Sequence, residues 1–232
     1  MLALAAILLG TGCVTNGRKI LMKEYGPGVP ALTDVSLKGY TVCIKDFKSA
    51  PDLVTYKTTA IVEEPKPYKY MDLTHEQDMT WDKEMRGLQK QVAKEDLRQI
   101  GNMRDGFGIV MSHVYALNDP ATWLAEGLKY DLEAQGAKVV DASQAADADV
   151  SVSGTIQLCS ADMYMTEEAR LIVDIDVQPK QGEPRHKQIY TRGMTAAFLA
   201  SEGEYFHAFR DAREKFSIIT AREIAAALKS KQ

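Results

Sequence analysis

From Asp149 onward, apolar and polar residues alternate. Val150, Val152, Ile156 and Leu158 fall on one side of an extended chain, with Ser151, Ser153, Thr155 and Gln157 on the other. Leu171, Val173, Ile175 and Val177 repeat the pattern against Asp174, Asp176 and Gln178. Gln181-Gly-Glu-Pro184 supplies the next turn, and a third strand is predicted over 189–199. A period of two gives one buried face and one wet face, so this part reads as an antiparallel meander.

Elsewhere the spacing lengthens. Trp81, Met85, Leu88, Val92 and Ile100 step by three, four or eight through charged residues, which predicts an amphipathic helix over 82–100. Asn118-Asp-Pro120 is a helix start, Leu124, Leu128 and Leu132 line one face, and Gly136 stands where a left-handed cap belongs. Strands are expected at 40–47, 107–117 and 137–141. Ser201-Glu-Gly-Glu204 matches a capping box and opens a last helix, with Phe209, Ala212, Phe216, Thr220, Ile224 and Leu228 on its buried stripe. These elements predict a single α+β domain: a mixed, largely antiparallel sheet backed by helices at 119–135 and 202–229, with Trp123 and Phe216 in the core. A helical insertion is expected at about 48–106.

At the N-terminus the pattern is neither period. Leu2 to Leu9 is apolar, too short to span a bilayer, and runs through Gly10-Thr-Gly into Cys13. A short apolar run, small residues and a cysteine form the logic of a bacterial lipoprotein signal, in which the thiol takes a lipid thioether and the chain gains palmitate-type acyl groups. The expected division is a signal peptide at 1–12, a lipidated Cys13 with a flexible tether over 13–35, and a periplasmic domain over 36–232. No Asp follows Cys13, which favours the outer membrane over inner-membrane retention.

Composition narrows the picture. The 232 residues are 45% hydrophobic and 26% charged, ordinary for a globular chain. With 28 Lys and Arg against 32 Asp and Glu, no general attraction to nucleic acid follows. Three cysteines are too few for a disulfide framework. His75, His113, His186 and His207 have no metal-ligand spacing, and Gly101-Asn-Met-Arg-Asp-Gly106-Phe-Gly108 lacks the Lys-Ser/Thr of a phosphate loop. No cofactor is implied. Cys43 and Cys159 could bridge in an oxidising periplasm if their strands adjoin, with Cys159 on the polar face; the other reading is two separate small thiols. Asp174 and Asp176 share a strand face, where paired carboxylates could do acid–base work or simply be solvated. The stripe Trp81, Met85, Leu88 and Val92 is either a partner-docking face, rich in Trp and Met, or packs on the protein's own sheet.

The chain resembles small periplasmic lipoproteins of the YajG-like type and, more loosely, auxiliary lipoproteins of ABC transporters and the N-terminal domain of TolB. The resemblance rests on Val42-Cys-Ile-Lys-Asp-Phe47, Asn102-Met-Arg-Asp-Gly-Phe-Gly108, the helix, glycine and strand from Trp123 through Gly136 to Val140, and Ala146-Asp-Ala-Asp149 before Val-Ser-Val-Ser-Gly154. It implies a helix-backed mixed sheet and a non-enzymatic role in the envelope with a protein partner, and it carries no catalytic residues. An envelope hydrolase using Asp174 and Asp176 is the alternative.

Overall fold

The computed structural model describes residues 17–56, 62, 63, 65, 70–93, 97–105, 107–164, 166–196 and 201–229. Cys13 and the expected signal peptide lie outside them. The described residues form eight strands and three α-helices in the order β1 (Arg18–Ile20), β2 (Thr41–Ser49), α1 (His75–Gln89), β3 (Arg98–Arg104), β4 (Val110–Ala116), α2 (Pro120–Ala134), β5 (Lys138–Asp141), β6 (Val150–Tyr164), β7 (Thr166–Pro179), β8 (Arg185–Thr195) and α3 (Glu202–Lys229).

The long strand β6 organises the sheet. On one side it pairs antiparallel with β7, which pairs antiparallel with β8. On the other side two strands lie end to end along it: β2 beside Val150–Ile156 and β3 beside Ala161–Met163, both parallel. The sheet therefore forks, one arm ending in β5 and the other running through β4 to β1. The fold is α+β with a mixed sheet, whose longest ladders are the antiparallel ones predicted from the alternation.

The helices cover one face. Trp123, Leu124, Leu128 and Leu132 of α2 and Phe209, Ala212 and Phe216 of α3 join Val150, Val152, Ile156, Val173 and Ile175 in one core. At Gly193 a Cβ would stand 2.0 Å from the Ala208 carbonyl oxygen, so only glycine lets α3 lie this close to β8. The predicted capping box forms: the Ser201 amide donates to Glu204 Oε2 at 2.8 Å, and the Glu204 amide donates to Ser201 Oγ at 3.2 Å. Gly136 ends α2 with φ +88°.

Four expectations need correction. First, the helix read over 82–100 spans His75–Gln89, and Arg98 and Ile100 belong to β3, so the insertion at 48–106 is helix then strand. The apolar spacing carried on past the helix end by coincidence. Second, the α1 stripe is no docking face. Trp81 stacks on Phe206 with ring centroids 5.0 Å apart and donates from Nε1 to the Leu21 carbonyl at 2.7 Å. Met85 is buried, and Leu88 and Val92 pack on the same core.

Third, Gln157 is an extra residue in β6, since Ile156 faces Val173 while Leu158 faces Ile172. A one-residue bulge flips every later side chain, so Cys159 points into the core rather than to the polar face. Cys43 lies across the sheet against Val140 and Ala148, and both cysteines are free and buried. They sit on opposite faces and do not bridge.

Fourth, the flexible tether expected over 13–35 is folded from Arg18 onward. β1 pairs with β4, and Ile20, Leu21, Met22, Val29, Leu32 and Val35 are buried. Asn118 extends the pairing with its side chain, accepting from the Met22 amide at 2.9 Å and donating to the Met22 carbonyl at 2.6 Å. Gln135 then accepts from the Leu32 amide at 2.7 Å and donates to the Pro30 carbonyl at 3.0 Å. Side chains satisfy the backbone groups that a strand partner would otherwise pair.

Candidate functional site

Two groups of buried polar side chains stand out, and both involve α3. In the first, the Arg213 guanidinium is completely buried and reaches Asp131, Glu24 Oε1 at 3.0 Å and Glu214 Oε1 at 3.7 Å. Arg210 sits beside it, 3.2 Å from both Glu24 and Glu214. Glycines make the room: a Cβ on Gly28 would stand 2.4 Å from Arg213 Nη2, and one on Gly127 would stand 2.6 Å from Nη1. Asp131 Oδ1 also accepts from the amides of Gly28 and Val29 at 2.8 and 3.0 Å, and Trp123 Nε1 donates to Glu24 at 3.0 Å. Burial pushes the Glu214 carboxyl up to about 8 although Arg213 and Arg210 pull it down. A proton on Glu214 leaves two acidic groups against two guanidiniums, a balanced set that tolerates burial.

In the second group, Glu167 of β7 is completely buried, and neither carboxyl oxygen has a hydrogen-bond partner among the described residues. Burial, with Glu204 adding to it and Arg18 opposing, pushes its carboxyl up to about 8. The Tyr205 hydroxyl, also buried without a partner, is pushed up by burial and by Glu167. Nearby, Gly17, Arg18, Lys19, Gln89 and Glu202 line a cavity of about 320 Å³. Glu167 can hold and release one proton near neutral pH. The alternation along β7 placed it on the core-facing side; an acid on that side is the signal that could have singled it out.

The residues singled out from sequence are spread apart. Asp174 accepts from Gln157 and Gln188 side chains, each at 2.8 Å, and Asp176 stands 3.0 Å from His186 Nδ1 in solvent. These neighbours lie across the open strand face, and the cavities at Phe47–Asp119, at Gly17–Glu202 and at Pro51–Asn102 lie elsewhere. His113 bonds Asn102 at 2.9 Å, while the His207 ring is tilted by 50° to its neighbour Phe206, with 6.1 Å between centroids. Among the described residues, no three His, Cys, Asp or Glu side chains are placed to hold a metal, and no helix is long and apolar enough to cross a membrane.

No family model matches the chain, and no curated protein matches it. Among solved structures, a Xanthomonas campestris protein of the DUF330 family aligns over 92% of this chain and 97% of its own, with TM-score 0.51 and 8% identity. An uncharacterized protein aligns over 90% and 99%, with TM-score 0.49 and 10% identity. A Caulobacter crescentus CB15 protein, provisionally assigned as a lipoprotein, aligns over 47% and 82%, with TM-score 0.32 and 12% identity. The first likeness establishes a shared fold, and the two weaker ones carry no further argument.

Proposed function

We propose that this chain is a periplasmic lipoprotein of the bacterial envelope, held in the outer membrane by acyl chains on Cys13 and acting as a non-enzymatic binding or scaffold component for an envelope protein. The observation that carries the reading is the apolar run Leu2–Leu9 ending in Gly10-Thr-Gly-Cys13, four residues before the first described residue, Gly17. Several acyl chains give durable attachment where one does not. The YajG-like assignment and the outer-membrane placement belong to this proposal, as does the absence of a cofactor.

Growing cells that express the full chain with a clickable palmitate analogue tests the anchor. Wild-type protein should carry label and sediment with membranes, and Cys13→Ser should lose both. A Cys13→Ser protein that keeps its label and fractionates unchanged refutes the proposal. The hydrolase alternative gains no specific support, because Asp174 is held by Gln157 and Gln188, Asp176 stands by His186, and neither lines the cavities described above.

A further inference from the structure

The β3–β4 hairpin ends in bare apolar side chains. Phe107 is 91% exposed, Ile109 62% and Val110 40%, and the three are neighbours in the chain. This tip is a built turn. Asp105 Oδ1 accepts from the amides of Phe107 and Ile109, each at 2.9 Å, and the Asp105 amide donates to the Ile109 carbonyl at 3.0 Å. Gly108, with φ +84°, donates from its amide to the Asp105 carbonyl at 3.0 Å. Arg104 braces the turn from below, 2.8 Å from Asp162 and donating to the Gly108 carbonyl at 3.0 Å. A turn ordered by its own hydrogen bonds presents these side chains to whatever lies beyond it, and contiguous exposed apolar groups of this kind mark contact surfaces.

What lies beyond it follows from where the preceding chain ends. β1 runs parallel to β4, with Arg18 opposite Val114, and Gly17 stands against His113, whose carbonyl oxygen would be 2.6 Å from a Cβ built there. A parallel partner starts from the same end as β4 does, which is the end bearing the tip. From His113 back to Val110 is about 10 Å of strand. The four residues from Cys13 to Gly17 span at most about 14 Å. The reach of the chain therefore lets Cys13 stand level with the tip, and acyl chains on its sulfur would then bring a bilayer to this end of the sheet.

We propose that Phe107, Ile109 and Val110 form a wedge that inserts into the bilayer interface beside the acylated Cys13. The inference rests on the lipid-anchored reading and deepens it: the acyl chains attach the protein, and the wedge fixes how its body faces the membrane. Phenylalanine and aliphatic side chains are the kind that bury about 5–10 Å deep, at the boundary between headgroups and acyl chains. The far end of the sheet, at Tyr40 and the start of β6, then points into the periplasm.

The test uses the full, acylated chain in vesicles of phosphatidylethanolamine and phosphatidylglycerol. Phe107→Cys and, in a second protein, Ile109→Cys carry an environment-sensitive NBD label, with Tyr40→Cys as the control at the opposite end. Lipids brominated high on their acyl chains act as quenchers, and mass spectrometry reports acylation at Cys13. The expected result is acylated protein whose label at 107 and 109 shifts blue and is quenched several-fold more than the label at 40. Acylated protein with equal quenching at all three positions overturns the wedge and leaves the anchor standing. Protein without acyl chains on Cys13 overturns both. Unquenched tip labels that crosslink to another protein in cells assign the tip to a protein partner instead and also overturn the wedge.

Discussion

Helix α3 passes two buried acidic sites and treats them in opposite ways. At Arg210–Glu214, three acids meet two guanidiniums, and the set ties the N-terminal segment to α2 through the Gly28 and Val29 amides. At Tyr205, Glu167 meets no partner among the described residues and answers burial by keeping its proton up to about 8. The contrast separates a pin, whose one raised acid, Glu214, stands against two guanidiniums, from a titrating group with no such partner. The first exists to hold chain segments together; the second costs stability whenever it ionises.

The largest expected effect comes from removing the pin. Arg213→Met leaves Glu24, Asp131 and Glu214 buried with Arg210 alone and should cost about 3–5 kcal/mol of unfolding free energy by urea denaturation. Trp123→Ala, which opens a core cavity and removes one hydrogen bond from Glu24, should cost about 3–5 kcal/mol as well. A loss under about 1 kcal/mol at Arg213 would put the network outside the structural frame. Charging both Met85 and Leu88 comes next: because α1 packs on the core, the melting temperature should fall sharply, whereas a docking face would leave it unchanged.

The titrating group is sharpened by pH. Glu167 and Glu214 both rise from 4.5 to about 8 on folding. Between those values the folded state binds more protons than the unfolded one, so stability should fall as pH rises from 4.5 to about 8 and level off above it. Each group contributes at most about 1.4 kcal/mol per pH unit. Glu167→Gln should remove roughly half of that slope and raise stability most at alkaline pH. A slope identical to wild type contradicts the assignment of Glu167 as a titrating site. The smallest effect belongs to Phe107→Ser, which at an exposed turn should stay within about 0.5 kcal/mol of wild type.

Much of this architecture was legible in the chain. The helix starting at Asp119-Pro120, the Ser201–Glu204 box and the alternation along β7 are local signals, and local physics honours them. Thr74 and Gln77 form a capping box as well, with the Thr74 amide donating to Gln77 Oε1 at 2.8 Å. That pattern is visible in the sequence and would have set the start of α1. The bulge at Gln157 is not visible, because it depends on how two strands pair, and one unpaired residue sends Cys159 inward. The docking of residues 18–37 is equally hidden. Their glycines and prolines show no period, and the groups that fix them, Asn118, Asp131 and Gln135, lie about a hundred residues away. Glu167 continues the buried side of the β7 alternation, but its lack of a partner emerges only once the helix above it is in place.

The central claim is that the anchor at Cys13 joins almost directly to a folded body, with no long tether between them. Trypsin treatment of the acylated protein on membranes tests it most directly, because Lys23 lies in the middle of residues 13–35, where a tether would be cut. Lys23 is 2.7 Å from Glu84 of α1, and Met22 beside it is held by Asn118. The account predicts that the Lys23–Glu24 bond resists cleavage under native conditions and the body stays with the membrane. Release of a fragment beginning at Glu24, before the rest of the domain is digested, would contradict it.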